Sequence, residues 1–333
     1  MTNVLLSKRG STNLTARNLR RALIARGVSV RATPDENIRG NYKLIRWGNS
    51  DRVRFIARNG MLNERENIAA NTNKLTALNT MAGASVPIPP MFTNKEQARR
   101  EIGFPLIGRT TTHQGGSGIT IINNRRELAG DNRSSHWMEL IDIDREYRIH
   151  VVNNEVIAVQ LKVENEAFDG TPDRQIRNLH NGWRFSRRDL GRVSSDIKSI
   201  GVNAVTALGL NFGAVDIIID SRRNIYVLEI NSAPALDIEG TLFTTYVDNF
   251  EVFFRGEEQA EEVETEIEQP TSSLDVADFQ TPSQETVPEF DEEPANNRIR
   301  RAQSSVSLNK KKNETKIERI ANLLEEAVKL LRS

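Results

Sequence analysis

The amino-acid sequence predicts an α+β fold that begins with a small α/β unit, and three observations support this class. Residues 88–140 alternate strand and helix signals, and further apolar strands follow up to residue 163. Residues 213–236, GAVDIIIDSRRNIYVLEINSAPAL, contain two apolar strands joined by a short polar turn, which is typical of an antiparallel hairpin. An acidic segment poor in apolar residues begins after Gly256. We therefore expect a folded body that ends near Gly256.

Hydrophobic periodicity and helix-ending residues place the elements of this body. Residues 1–70 are expected to form the α/β unit, with a helix at 14–26 that ends at Gly27, a residue type favoured just beyond helix C-termini. Strands of this unit are predicted at 4–6, 28–30, 42–47 and 53–56. Later helices are predicted at 73–82, 94–101, 125–129, 191–208 and 242–253, and later strands at 105–107, 119–122, 136–141, 146–152 and 156–163.

Composition narrows the class of protein. The sequence has no cysteine, which excludes disulfides, thiolate metal sites and a cysteine nucleophile. Its four histidines show no metal-ligand spacing such as HxxxH, so a zinc enzyme is not expected. The first residues, MTNVLLSKRG, lack the apolar core of a signal peptide, and no apolar run approaches membrane-spanning length. We expect a soluble, cytoplasmic protein with no membrane partner.

The net charge of zero conceals an asymmetry along the chain. Residues 257–333 contain 18 acidic and 10 basic side chains. Because the whole chain has 45 of each, the first 256 residues contain 27 acidic and 35 basic side chains. A basic body suits a polyanionic ligand, which could be a nucleoside triphosphate or a nucleic acid. Nucleic acid is the weaker candidate, because the body shows no module that combines aromatic and basic residues.

The C-terminal part is predicted to contain a disordered linker (257–312) and a helix (313–333). Residues 257–295 hold fourteen acidic residues and no lysine or arginine, and such a segment buries too little apolar surface to offset its chain entropy. Thr315 and Glu318 form a capping box before an apolar stripe over 316–332. This helix is expected to dock on a second copy, on the body or on a protein partner. A purely solubilising tail is the alternative.

The hairpin carries the first candidate site. If Ser221–Asn224 is the loop, Asp216 lies directly opposite Glu229, and Asn231 lies one alternation further on the same face. Two opposed carboxylates repel each other unless a cation lies between them. Oxygen-only ligands suit Mg2+, which proteins hold by one or two carboxylates together with substrate phosphates. The alternative is an ordinary hairpin whose acidic side chains face solvent.

Two further segments have the chemistry of a nucleotide site. Residues 109–119, RTTTHQGGSGI, form a glycine-rich loop between two predicted strands, which would let backbone N–H groups approach phosphate oxygens. This loop lacks the GK[ST] of a P-loop, and a flexible hairpin loop explains it equally well. In residues 136–152, Glu139 and Glu146 could receive adenine and ribose, with Arg148 directed towards an anion. Surface charges on an exposed hairpin are the alternative.

The order of these segments resembles the ATP-grasp superfamily, in particular its carboxylate–amine ligases of the RimK-type glutamate ligase and D-alanine–D-alanine ligase kinds. The resemblance covers about residues 71–246. The segments that carry it are NKLTALNTMAGASVPIPP, FPLIGR followed by GGSGI, MELIDIDREYRIHVV, IRNLHNGW, and GAVDIIID with YVLEINSAPALDIEG. The last two are the most specific.

The resemblance implies an ATP-grasp domain at 71–256, in which two α+β subdomains clamp ATP with two Mg2+ ions, Mn2+ being able to substitute. It implies a reaction that joins an amino-acid, peptide or protein carboxylate to an amine through an acyl phosphate. The implied catalytic residues are Arg148 and Arg177, and the implied metal ligands are Asp216, Glu229 and Asn231. The implied ATP-binding residues are Lys74, Arg109, Gly115, Gly116, Ser117, Gly118, Glu139, Leu140, Ile141, Glu146 and Lys162.

The sequence departs from the family pattern at three places. Arg109 and Leu78 stand where the family usually has lysines, and Pro234–Ala235 stands where it usually has Pro-Gly. Arginine can replace lysine as a phosphate ligand with altered geometry. Leu78 cannot, although Lys74, one helical turn earlier, could reach the same pocket. The alternative function is therefore a catalytically weak or inactive nucleotide-binding protein that joins an assembly through its C-terminal helix.

Overall fold

The computed structural model describes residues 2–7, 13–32, 42–51, 60–112 and 118–256. Its elements confirm the predicted α+β class, with three β-sheets in the described residues. The predicted strand at 53–56, the linker at 257–312 and the helix at 313–333 lie outside the described residues. Within the described ranges, no helix is both long and apolar enough to cross a membrane.

A four-stranded parallel sheet forms the N-terminal part of the fold. Its strands are β1 (Thr2–Ser7), β2 (Val30–Arg31), β3 (Tyr42–Trp47) and β4 (Met61–Leu62), in the order β2-β1-β3-β4. Helix α1 (Leu14–Ala25) begins at Asn13, whose side chain accepts a hydrogen bond from the Ala16 amide at 3.0 Å. It ends before Gly27, whose φ of +81° is the left-handed conformation expected of a terminating glycine.

Two consecutive helices connect this sheet to the rest of the chain. Helix α2 (Arg65–Thr72) was not predicted, because its sequence RENIAANT has no clear apolar stripe. Helix α3 (Lys74–Gly83) follows at once, and the Asn73 side chain caps it by accepting a hydrogen bond from the Thr76 amide. Leu78 is buried in the apolar core beneath α3, so its side chain is part of the packing.

A small antiparallel sheet follows. Its strands are β5 (Met91–Phe92), β6 (Leu106–Arg109), β7 (Ile119–Ile122) and β8 (His136–Glu139), in the order β5-β8-β6-β7. Helices α4 (Lys95–Glu101) and α5 (Arg125–Gly130) bury one residue each, Ala98 and Leu128, against Leu106, Ile122 and Trp137. This sheet therefore has its own small core.

The largest sheet is antiparallel and has five strands. They are β9 (Ile143–Val152), β10 (Glu155–Glu164), β11 (Trp183–Arg188), β12 (Phe212–Asp220) and β13 (Ile225–Asn231), in the order β11-β10-β9-β12-β13. One face packs against α3 and α6 (Ser195–Ala207), while Val152 and Phe212 pack towards α7 (Thr241–Arg255). The edge strand β11 was not predicted from the sequence.

The helix predicted at 191–208 begins later than expected. Residues Leu190–Arg192 form a short 3-10 turn, in which the Asp189 carboxylate accepts a hydrogen bond from the Gly191 amide. Ser194 then caps α6 by accepting a hydrogen bond from the Ile197 amide. Serine is a favoured cap because its hydroxyl satisfies an amide that the first helical turn leaves without a partner. The serine therefore sets the start of α6.

An aromatic cluster attaches the N-terminal sheet to the large sheet. The ring of Trp47 stacks on Phe212 at 5.5 Å between centroids, and the edges of Tyr246 and Phe250 complete the cluster. Asn63, at φ +61°, accepts hydrogen bonds from the amides of Asn211 and Phe212 and donates one to the Phe212 carbonyl. These contacts position the start of β12, the strand that carries Asp216.

Candidate active site

The hairpin of β12 and β13 brings Asp216 directly opposite Glu229, and Asn231 opposite Ala214, as predicted. The regular register assumed for this prediction is wrong near the turn, where Ile219 pairs with Ile225. There the Asp220 carboxylate accepts hydrogen bonds from the amides of Arg222 and Asn224, which tightens the turn. The register shifts between Asp216 and Ile217, so a bulge restores the opposition of the two acidic residues.

A line of polar side chains crosses the large sheet from this pair, and we call it the charged rung. Successive cross-strand neighbours from β13 to β11 are Glu229, Asp216, Arg148, Gln160 and Arg187. Directly opposed residues project from the same face of a sheet, so the rung is a single row on one face. Its charge changes from negative on β13 and β12 to positive on β9 and β11.

Glu229 is the point where three parts of the fold meet. Lys74, at the start of α3, lies 3.1 Å from its carboxylate, and Arg109, at the end of β6, lies 3.7 Å away. The Lys74 amide also donates to the Thr111 carbonyl at 2.7 Å, which holds the start of α3 beside the small sheet. Burial alone would raise the pKa of Glu229, but Lys74 and Arg109 hold that pKa at about 2. Its carboxylate is therefore ionised at neutral pH.

Asp216 is held by a bidentate ion pair. The Arg148 Nε and Nη2 atoms donate to the two Asp216 carboxylate oxygens at 2.7 and 2.8 Å. The Arg148 guanidinium also lies over the Phe185 ring at 4.0 Å. Burial lowers the pKa of Arg148, but the attraction of Asp216 outweighs it and the pKa is raised. Arg148 thus stays charged on this face of the sheet.

A second buried ion pair lies beside the rung. The Lys162 ammonium donates to the Glu146 carboxylate and, at 2.7 Å, to the Arg177 carbonyl. Burial raises the pKa of Glu146, although Lys162 opposes this shift. The Arg177 guanidinium lies 4.3 Å from the Trp183 ring centroid and donates to the Ile143 carbonyl, so it anchors the segment before β11 to the start of β9.

The predicted adenine segment connects the two antiparallel sheets. Glu139 ends β8, and Leu140 and Ile141 lead into β9; all three side chains are half-buried. The Glu139 amide donates to the Pro90 carbonyl at 3.1 Å, which fixes the connection against the chain after α3. Gly118 lies just before β7, where its carbonyl accepts from the Thr110 amide. Gly115, Gly116 and Ser117 lie outside the described residues.

The structure therefore brings together Lys74, Arg109, Arg148, Asp216 and Glu229, which lie far apart in the sequence. Sequence reasoning missed the aromatic rings of Trp183 and Phe185 that support Arg177, Arg148 and Lys162. It also missed Gln160, which lies between Arg148 and Arg187 in the charged rung. Alternation along WRFSRR would have placed both rings on one face, had that segment been recognised as a strand.

The donor set fits a magnesium ion only in part. In the portion of the chain that the structure describes, no three His, Cys, Asp or Glu side chains gather as a metal site. Asp216, Glu229 and Asn231 supply two carboxylates and an amide, which are oxygen donors of the kind that Mg2+ prefers. A full coordination shell needs further oxygens. The set therefore suits a metal ion that a phosphate ligand helps to hold.

Comparison with known proteins shows the family. The sequence model of the RimK-like ATP-grasp domain matches residues 72–248. This match covers more than half of the 333 residues. The chain belongs to the RimK-like ATP-grasp family.

Curated relatives in this ATP-grasp family share about a quarter of their residues with the chain. The probable alpha-L-glutamate ligase of Saccharophagus degradans is 25% identical over 191 residues, which cover 53% of this chain and 60% of that protein. The probable alpha-L-glutamate ligase of Klebsiella pneumoniae is 27% identical over 203 residues, which cover 56% and 63%. The chain thus spans about three fifths of the length of these relatives.

Solved structures show the same ATP-grasp fold. The D-alanine–D-alanine ligase from Bacillus anthracis has a TM-score of 0.58 at 11% identity, covering 79% of this chain and 99% of that one. The ATP-grasp ligase PsnB, complexed with minimal precursor, Mg and ADP, has a TM-score of 0.54 at 16% identity, covering 74% and 96%. The ATP-grasp fold predicted from the sequence is confirmed.

His150 gives the fold a pH dependence. This buried residue on β9 lies 3.1 Å from the Tyr246 hydroxyl and 3.0 Å from the side-chain oxygen of Gln160, and burial lowers its pKa to about 4. In the unfolded chain the His150 imidazole binds a proton below about pH 6.5, whereas in the folded protein it stays neutral down to about pH 4. The free energy of unfolding should therefore fall as pH decreases through this window, by up to about 1.4 kcal/mol per pH unit.

Urea denaturation at several pH values between 7 and 4.5 measures this dependence. The variant His150→Gln should lose most of the slope, whereas His180→Gln, at an exposed position, should keep it. Equal slopes in wild type and His150→Gln would contradict the assignment.

Proposed function

We propose that this protein is an ATP-dependent carboxylate–amine ligase. The observation that carries the proposal is the convergence of Lys74 and Arg109 on Glu229 beside the Arg148–Asp216 pair, within a RimK-like ATP-grasp domain. Cations that pair with acids in this way are placed to exchange them for phosphate groups. The γ-phosphoryl group of ATP would pass to a substrate carboxylate to give an acyl phosphate and ADP. An amine would then displace phosphate to form an amide.

The residues of this chain act mainly by positioning and by charge compensation. Lys74, Arg109 and Lys162 would bind phosphate oxygens, and Arg148 and Arg177 would neutralise the charge that develops on the transferred group. Gly115, Gly116, Ser117 and Gly118 are proposed to cover the phosphates. Glu139, Leu140, Ile141 and Glu146 are proposed to receive adenine and ribose. The chemistry needs no nucleophile from the protein.

Asp216, Glu229 and Asn231 are the residues that would hold magnesium, and we propose two ions, for which Mn2+ can substitute. Mg2+ bound here would neutralise phosphate charge and orient the γ-phosphate. Both carboxylates are paired with cations of the chain. Binding of metal and nucleotide would therefore break both ion pairs at once. The metal would bind the carboxylates, and the phosphates would bind the lysine and arginine side chains.

The variant Lys74→Met tests this exchange. Its nucleotide affinity should fall about tenfold, because one charge-assisted phosphate contact is lost. Its affinity for Mn2+ without nucleotide should rise, because the ammonium no longer competes for Glu229. Calorimetry gives the first value and the electron paramagnetic resonance signal of free Mn2+ gives the second. Lys43→Met is the matched control, since Lys43 contacts the Phe253 carbonyl and ring, away from Glu229. Unchanged affinities in Lys74→Met would reject the exchange.

The substrates are proposed from chemistry and from the names of the relatives. One substrate is an amino-acid, peptide or protein carboxylate and the other an amine, and L-glutamate is a candidate because the curated relatives are named as glutamate ligases. The direct test measures phosphate release from ATP with pools of amino acids and peptides, with and without Mg2+. Mass spectrometry then identifies an amide product. Absence of magnesium-dependent phosphate release with every pool would reject the ligase.

One observation favours a second candidate, a nucleotide-binding protein with little turnover. Leu78 is 1% exposed in the core, so the family's second lysine has no counterpart at that position. Lys74 is the available replacement. We propose that residues 316–332 would in that case join the protein to a second copy or a protein partner. Tight binding of ATP and Mg2+ without phosphate release in the same screen identifies this case.

A further inference from the structure

A shallow cavity of about 470 Å³, open to solvent, lies at the outer end of the charged rung, beside β10 and β11. Its lining residues are Ala158, Arg187, Arg188, Asp189 and Leu190. The Asp189 carboxylate already accepts a hydrogen bond from the Gly191 amide at 2.9 Å. Within the described ranges, neither Arg187 nor Arg188 forms an ion pair with a carboxylate. Two arginines and one aspartate thus give the lining one net positive charge.

Arg187 lies on the face of the sheet that carries the candidate active site. Phe185, two residues earlier on β11, contacts both Arg148 and Lys162, at 4.0 and 4.9 Å from its ring centroid. Side chains two apart in a strand share a face, so Arg187 projects to the same side. Arg187 pairs with Gln160, which in turn pairs with Arg148. The backbones at Arg187 and Arg148 are therefore two strand spacings apart, ~10 Å.

The position of the cavity along the strand direction also fits a substrate next to the proposed nucleotide site. The proposed nucleotide contacts follow β9 from its start, with Glu146 for ribose and Arg148 for phosphate. His150 is the next residue of this face, and it pairs with Ala158, which lines the cavity. The cavity thus begins one step along the strands beyond the proposed phosphate position, on the side where a substrate that extends past the γ-phosphate would lie. This step rests on the proposed function.

We propose that this cavity binds a carboxylate of the substrate, and that Arg187 determines specificity for an acidic amino acid or an acidic peptide side chain. A planar guanidinium matches the two oxygens of a carboxylate. Ala158 and Leu190 supply an apolar wall for the methylene groups that precede it. The distance from Arg148 suits a substrate whose reacting group lies at the phosphate and whose carboxylate lies at β11.

Titration of the full chain with L-glutamate and with L-glutamine tests the proposal, both with and without saturating Mg2+ and a non-hydrolysable ATP analogue. Wild type should bind glutamate at least about tenfold more tightly than glutamine, because a charged hydrogen bond distinguishes them. Arg187→Gln should lose about that factor for glutamate and little for glutamine, and Arg187→Lys should retain part of it. Arg184→Gln is the matched control, because Arg184 lies on the opposite face of β11 and pairs with Glu166.

Each outcome decides the proposal. Wild type that does not distinguish glutamate from glutamine, or an unchanged glutamate affinity in Arg187→Gln, would overturn it. Equal losses in Arg187→Gln and Arg184→Gln would overturn it too, since a general effect of surface charge would explain them. Binding of the ATP analogue with Mg2+ shows in the same samples that each variant is folded. Failure of wild type to bind that analogue would reject the proposed function, while the glutamate titrations without nucleotide still decide the role of Arg187.

Discussion

Glu229→Gln is expected to lower metal affinity and magnesium-dependent turnover by about a hundredfold or more. Loss of even an outer partner of a metal site costs about 10–100-fold, and Glu229 is proposed as a direct ligand. The same change frees Lys74 and Arg109 from the carboxylate that they contact at 3.1 and 3.7 Å. Nucleotide binding without metal should therefore persist or strengthen. This combination separates a lost metal ligand from a misfolded protein.

Mn2+ binding, nucleotide binding in the presence of a chelator, and phosphate release provide the three measurements. Glu155→Gln is the matched control, because Glu155 is exposed at the start of β10 on the opposite end of the sheet from the proposed adenine segment. If the Glu229→Gln variant bound metal as tightly as wild type, Glu229 would not be a metal ligand. If the variant no longer bound nucleotide in the presence of a chelator, Glu229 would instead mainly support the fold.

Arg148→Met is expected to lower the free energy of unfolding by about 3–5 kcal/mol, the cost of leaving a buried ion unpaired. Arg148 makes both hydrogen bonds to Asp216, whose side chain is 7% exposed. Methionine keeps much of the side-chain volume against Phe185 but offers Asp216 no donor. The loss should be smaller with Mg2+ and nucleotide present, because the proposed metal site gives Asp216 a new cationic partner.

Urea denaturation with and without these ligands measures both effects. Arg145→Met, three residues earlier, is the control, because Arg145 is 53% exposed and lies 3.7 Å from the exposed Asp144. Exposed pairs contribute about 0–1 kcal/mol, so the control should change little. Similar destabilisation in the two variants would show that the Asp216 pair does not behave as a buried one.

A structural element was predicted correctly from the sequence where all the residues that form it lie in one short stretch of chain. The hairpin of β12 and β13 and the pairing of Asp216 with Glu229 were predicted because apolar residues and a polar turn occupy adjacent positions. The bulge between Asp216 and Ile217 was not predicted, since the spacing of apolar residues alone gives a regular register. Helix α2 and strand β11 were missed because their charged sequences lack the periodicity that signals a buried face.

The candidate active site likewise combines residues that short motifs singled out with contacts that only the folded chain creates. The resemblance to the ATP-grasp superfamily singled out Lys74, Arg109, Arg148 and Glu229 from short motifs. Their partners could not be read from those motifs, because Lys74 and Glu229 are 155 positions apart and meet only when α3 packs beside β13. The support that Phe185 gives to Arg148 depends on an edge strand whose place in the sheet is set by β10.

The sequence by itself determined the α+β class, the family, the hairpin acids and the acidic character of residues 257–295. These properties depend on composition, on spacing and on neighbours within a few residues. Only the tertiary structure decided that Lys74 and Arg109 pair with Glu229, that Arg148 pairs with Asp216, and that Arg187 extends the charged rung to a cavity. The physical reason is that ion pairs and cavities depend on distances in space, which the register of five strands and the packing of α3 establish.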